Sequence, residues 1–154
     1  MALSGQAKIW YVKEGGAGVK NGNSWADASG DLQDILNRVT ANGTVVEVYV
    51  AAGTYKPNRI VTNVTAINTG NRDNAFFISR QMKIYGGFPA TGSPVFADRD
   101  WEVHKTILSG DQTNPAVTTD NCYHVMVMQT STSRVVVVDG LIITEGVADG
   151  STDN

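Results

Sequence analysis

The rhythm of hydrophobic and polar positions changes once along this chain. Leu32, Ile35, Leu36 and Val39 fall at i, i+3, i+4 and i+7, which gathers them on one face of a helix about three turns long. Ser29 or Asp31 can act as its N-cap, Asp34 adds negative charge to the first turn, and Asn42-Gly43 supplies a C-terminal stop. Elsewhere the apolar residues come in short runs bounded by turn residues, which predicts strands over 9–12, 45–50, 75–79, 82–85, 106–108, 124–128, 135–138 and 141–144. Several of these runs are apolar at consecutive positions, as expected of strands covered on both faces and stacked in parallel. The polar stretches 56–74, 89–105 and 111–121 are long for a compact domain, and loops of that length are usually functional or disordered.

A short strand ending recurs as Ile84-Tyr85-Gly86, Ile107-Leu108-Ser109-Gly110 and Ile142-Ile143-Thr144-Glu145-Gly146. From Ile84 to Ile107 is 23 positions and from Ile107 to Ile142 is 35, both within the range of about 20–45 residues of a solenoid unit. The pattern predicts a coil of short strands stacked on themselves, with the apolar helix face plugging the first coil, whose N–H, C=O and side chains would otherwise lie open. The last strand runs into the polar stretch 149–154 without a comparable cap. Residues 1–154 therefore read as a single domain, the N-terminal cap and first coils of a longer protein, with self-association expected through the uncapped C-terminal coil.

Composition narrows the function classes. The 154 residues are 42% hydrophobic, enough for one core, and the formal charge of −3 gives no electrostatic reason to bind nucleic acid or an anionic membrane. The longest apolar run, Val135-Val136-Val137-Val138, is far short of the ~20 residues of a spanning helix, so no membrane insertion is expected. Cys122 is the only cysteine, which excludes an internal disulfide and a thiolate zinc cluster. The first residues lack the charged start and apolar core of a signal peptide. Asn42-Gly43-Thr44 and Asn63-Val64-Thr65 match the N-glycosylation pattern, which is short enough to arise by chance.

Longer matches carry a family resemblance. The ordered segments Ile9-Trp10-Tyr11-Val12, Gly22-Asn23-Ser24-Trp25-Ala26-Asp27-Ala28, Val48-Tyr49-Val50-Ala51-Ala52-Gly53-Thr54-Tyr55, Ile84-Tyr85-Gly86-Gly87-Phe88, Arg99-Asp100-Trp101 and Val138-Asp139-Gly140-Leu141 resemble the N-terminal part of bacterial (Bacteroidetes-type) pectin-lyase-like proteins. The resemblance implies an all-β, right-handed parallel β-helix with one short N-terminal capping α-helix. It also implies a secreted or cell-surface setting, adhesin-like or polymorphic outer-membrane-like. The same scaffold carries polysaccharide lyases, glycoside hydrolases and non-catalytic adhesins, so activity must be argued from residues.

Asp98, Asp100, Glu102, Asp111 and Asp139 could supply the paired carboxylates of glycoside cleavage, but Asp100, Asp111 and Asp139 adjoin turn residues and backbone hydrogen bonding accounts for them. A lyase would draw its base from Arg80, Lys83, Arg99 or Lys105, and no acidic cluster at calcium-ligand spacing accompanies them. Asp149, Ser151 and Asp153 open like a calcium loop and lack its later glycine and glutamate. His104 and His124 stand twenty positions apart; His124, opening an apolar strand, is expected to be partly buried, and His104 lies in a polar loop. No metal site or cofactor is expected. Trp25 is expected to pack the cap and Tyr85 the coil, whereas Trp101, between Asp100 and Glu102 in a long loop, is the candidate ligand-binding residue, an aromatic face on which a polysaccharide or other glycan could stack. The expected function is a non-catalytic structural or adhesion segment. The alternatives are the N-terminal part of a lyase or hydrolase whose catalytic residues lie beyond Asn154, and a protein-binding role for loops 56–74 and 89–105.

Overall fold

The computed structural model describes residues 7–39 and 45–150. Its elements are β1 (Ile9–Val12), α1 (Leu32–Arg38), β2 (Val46–Ala51), β3 (Gly53–Tyr55), β4 (Phe76–Ile78), β5 (Met82–Phe88), β6 (Thr106–Ser109), β7 (Met126–Met128), β8 (Val136–Asp139) and β9 (Leu141–Thr144), with 3-10 turns at Trp25–Asp27 and Phe96–Asp98. The fold is all-β with one helix. Every strand pairing is parallel, in three sheets ordered β1-β2-β5-β8, β3-β6-β9 and β4-β7. The chain visits the first, second and third sheets in that order twice, through β2, β3, β4 and then β5, β6, β7, and begins a third pass with β8 and β9.

The recurrent strand ending divides between sheets. Ile107 lies opposite Ile142 in the second sheet, 35 positions on. Ile84 instead lies in the first sheet between Val48 and Val138, so the 23-residue interval is not a repeat. The offsets between partners run from 35 residues (Thr106 to Leu141) to 54 (Met82 to Val136), because the loops between strands differ in length.

Parallel strands give the core its layered form. Val12, Val48, Val50, Phe76, Ile78, Met82, Ile84 and Leu108 are fully buried in one cluster. Residues alternate across a strand, so Tyr49 and Ala51 emerge on the opposite face of β2 and join a second cluster with Trp25, Ala28 and Phe88. This explains the unbroken apolar stretch Val48-Tyr49-Val50-Ala51 of β2, which is covered on both faces.

The helix is shorter than its periodicity predicts, seven residues or about two turns. Asp31 is its N-cap and accepts from the Asp34 N–H, while Ser29 accepts from the Asp31 N–H. Val39 sits one residue past the helix, yet it is buried in the main core with Leu32, Ile35 and Leu36. The stop expected at Asn42-Gly43 lies outside the described residues. Burial pushes the Asp31 carboxyl up, but hydrogen bonds from Arg59 and the Asp34 N–H, with the Arg59 charge, outweigh it and hold the group below its ordinary value.

The edges at this end of the sheets are closed by three different groups. Over β2 lies β1, whose Tyr11 in turn exchanges backbone hydrogen bonds with Gly22 and Ser29 at 2.9 Å. Over β3, the Glu14 carboxylate accepts from the Thr54 N–H at 3.2 Å. Over β4 the helix supplies Gln33, 1% exposed, whose Oε1 accepts from the Phe77 N–H at 2.7 Å and whose Nε2 donates to the Phe77 carbonyl at 3.2 Å. One side-chain amide thus stands where a neighbouring strand's peptide would. Gln33→Leu is expected to lower stability by about 2–3 kcal/mol, because both Phe77 groups would stay buried without partners. Urea unfolding measures this, and a variant as stable as the wild type would remove the edge-capping role. At the far end β8, β9 and β7 are the last strands of their sheets, and Met128, Val135, Ile142 and Ile143 are exposed there.

Candidate functional site

The outward face of the first sheet is an aromatic ladder. The parallel register puts Tyr11, Tyr49 and Tyr85 side by side, with ring centroids 5.9 and 6.1 Å apart. Phe88 stacks on Tyr49 at 4.6 Å, Trp25 meets Tyr11 at 5.0 Å and Phe88 at 5.4 Å, and Phe96 closes over Tyr85 at 5.0 Å. Trp25 therefore packs this outer layer and not the helix; its Nε1–H donates to the Pro94 carbonyl at 2.8 Å, which ties the segment between β1 and α1 to the loop between β5 and β6. Tyr49 donates to Glu47 at 2.8 Å, and burial together with that carboxylate raises its phenol well above the usual value.

The ladder ends on a charge. The position opposite Tyr85 in β8 is Asp139, which pairs with Arg99 from the loop between β5 and β6. The Arg99 side chain is 8% exposed; its Nε–H donates to the Gly86 carbonyl at 2.7 Å, and its guanidinium carbon lies 4.9 Å from the ring centres of both Tyr85 and Phe96. A guanidinium can stack on ring faces and still donate in its own plane, so one side chain joins the aromatic layer to the next rung. Held this way, Arg99 cannot serve as a general base.

Trp101 follows two residues later. It is 56% exposed, its ring lies 5.8 Å from the Arg99 guanidinium carbon, and with Asp139, Gly140, Leu141 and Ile142 it borders a pocket of about 220 Å³. Its backbone rests on Gly87, where a Cβ would meet the Trp101 N at 3.0 Å, and Gly87 has φ +85, a conformation that glycine adopts without strain. The pocket is below the roughly 300–1,000 Å³ of sites that enclose a drug-sized ligand, so it suits one face of a ring against Trp101 and one edge toward Asp139.

The acidic residues singled out from sequence are dispersed among structural partners. Asp98 accepts from the Val95 N–H at 2.7 Å, and Asp100 accepts from the Glu102 and Val103 N–H groups at 3.0 Å each. Asp111 pairs with Lys56 at 2.9 Å, and Asp149 pairs with Arg72. Glu102 is exposed beside Trp101. His124 is exposed, not partly buried, because it precedes β7 and belongs to the loop, while His104 is half-buried and donates its backbone N–H to the Asp100 carbonyl at 2.7 Å. Among the described residues no three of His, Cys, Asp and Glu gather as metal ligands; Ser151 and Asp153 lie outside them. Cys122 is buried, and burial pushes its thiol up to about 11. No helix among the described residues is long and apolar enough to cross a membrane. Sequence reasoning had Arg99 as a possible base and as part of the Arg99-Asp100-Trp101 resemblance and did not single out Phe96; the signal available was an arginine in a loop flanked by aromatic residues.

No protein family, curated protein or solved structure matches the chain.

Proposed function

We propose that this chain is the capped start of a right-handed parallel β-helix and acts as a non-catalytic structural or adhesion segment of a secreted or cell-surface protein, contacting glycans through Trp101. The coiled reading is supported by the repeated order of visits to three parallel sheets, and its hand by the general rule that parallel crossover connections are right-handed. A non-catalytic role is supported by Asp98, Asp100, Asp111 and Asp139 each being bound to a backbone N–H or a basic partner. The observation that carries the glycan contact is the exposed Trp101 ring beside a shallow pocket that also offers the Asp139 carboxylate and backbone groups. Sugars present apolar C–H faces and hydroxyl edges, which match a ring and an acceptor set side by side.

A glycan array tests this with Trp101→Ala as control. The expected result is binding to one class of saccharide that falls at least about tenfold in the variant, the equivalent of about 1.4 kcal/mol. No binding by the wild-type chain, or equal binding by the variant, would remove Trp101 as a sugar platform and leave the structural role alone.

A further inference from the structure

A cavity of about 650 Å³, far larger than the one beside Trp101, opens where the loop between β3 and β4 passes β7. Ile60, Val61, Ala75, Met126 and Val127 give it an apolar lining, and Arg72 and Tyr123, in contact with each other, also border it. The guanidinium is fixed: its carbon lies 4.3 Å from the Tyr123 ring centre, Nε–H donates to the Asn121 carbonyl at 2.8 Å, and Nη2 donates to the Val147 carbonyl at 3.4 Å. Nη2 also pairs with the Asp149 carboxylate, which is 54% exposed on the polar segment after β9. An oriented guanidinium on a residue that borders an apolar cavity, already carrying one exposed carboxylate, is matched in charge to an amphiphilic anion.

We propose that this cavity binds a small organic anion, with an aryl or alkyl body against Val127 and its neighbours and a carboxylate or sulfonate on Arg72 in place of Asp149. Exchange of one carboxylate for another leaves the charge balance at Arg72 unchanged, and Asp149, the exposed partner of the pair, is a weak competitor. Asp73 also borders the cavity, but it is exposed and water and salt screen its charge. The apolar body supplies the affinity and Arg72 supplies the preference for anions.

Two fluorescent probes with the same rings separate these contributions: 8-anilinonaphthalene-1-sulfonate and the uncharged N-phenyl-1-naphthylamine. Saturable binding of the sulfonate is expected, weakened about tenfold by Arg72→Gln and strengthened a few-fold by Asp149→Asn, with the amine unmoved by either. Val127→Trp, which fills the cavity, is expected to weaken both probes. Should Arg72→Gln fail to fold, Asp149→Asn and Val127→Trp still decide. The proposal is overturned if neither probe saturates, if Val127→Trp changes nothing, or if Asp149→Asn leaves the sulfonate no tighter.

Discussion

Leu36→Asp is expected to lower the free energy of unfolding by about 4 kcal/mol, a loss large enough to threaten folding of a domain of ordinary stability. Leu36 is 3% exposed within the main core, so the substitution removes apolar contact and sets a carboxylate in an apolar cluster. The same helix also aims Gln33 at Phe77, so a displaced helix would uncover the edge of β4 as well. Urea unfolding followed by circular dichroism measures the loss. A variant with the wild-type midpoint would show that the helix face does not close the core.

Gly110→Ala is expected to cost about 3 kcal/mol, at the upper end for overpacking. A Cβ at Gly110 would land on the carbonyl oxygen of Glu145, well inside van der Waals contact, and that oxygen belongs to backbone that cannot yield as a side chain can. Glu145 holds φ +61, an uncommon state for a residue with a side chain, and Ser109 donates to its carboxylate, so the turn is pinned from two directions. Gly146→Ala is the matched control. A Cβ there would meet the Val125 Cγ2 at 3.1 Å, a methyl that can shift, and the cost is expected to stay under about 1 kcal/mol. Equal losses in the two variants would show that the close approach of successive passes is not what demands glycine.

These two sites also mark how far the chain could be read without its structure. The helix face was legible because Leu32, Ile35, Leu36 and Val39 repeat at helical spacing, and most strands because β-branched and aromatic runs stop at turn residues. Strand β3 was not, since Gly53-Thr54-Tyr55 is three residues long and takes its conformation from pairing with β6. Gln33 was passed over because a polar residue beside the apolar stripe looks like solvent exposure until its partner, 44 positions away, is known. The recurrent glycine endings were visible but misassigned: Gly86 and Gly110 both lie under the next pass of the chain, the one within β5 of the first sheet and the other just after β6 of the second. At the candidate site Trp101 stood out by its charged neighbours, whereas the Arg99–Asp139 pair, 40 positions apart, exists only through the register of β5 and β8.

That register also sets an order in time. From β5 onward, each strand pairs with one that precedes it in the chain by 35 to 54 residues, so every new rung is laid on a template already made. At the usual pace of synthesis, about 5–20 residues per second, a pass of about 50 residues takes roughly 3–10 s to emerge, far longer than the microseconds a hairpin needs to form. The end closed by Glu14, Gln33 and β1 is made first and waits for its partners. Because parallel neighbours so distant in sequence pair slowly in a free chain, this molecule is better suited to assembling progressively from its N-terminus than to refolding whole from denaturant.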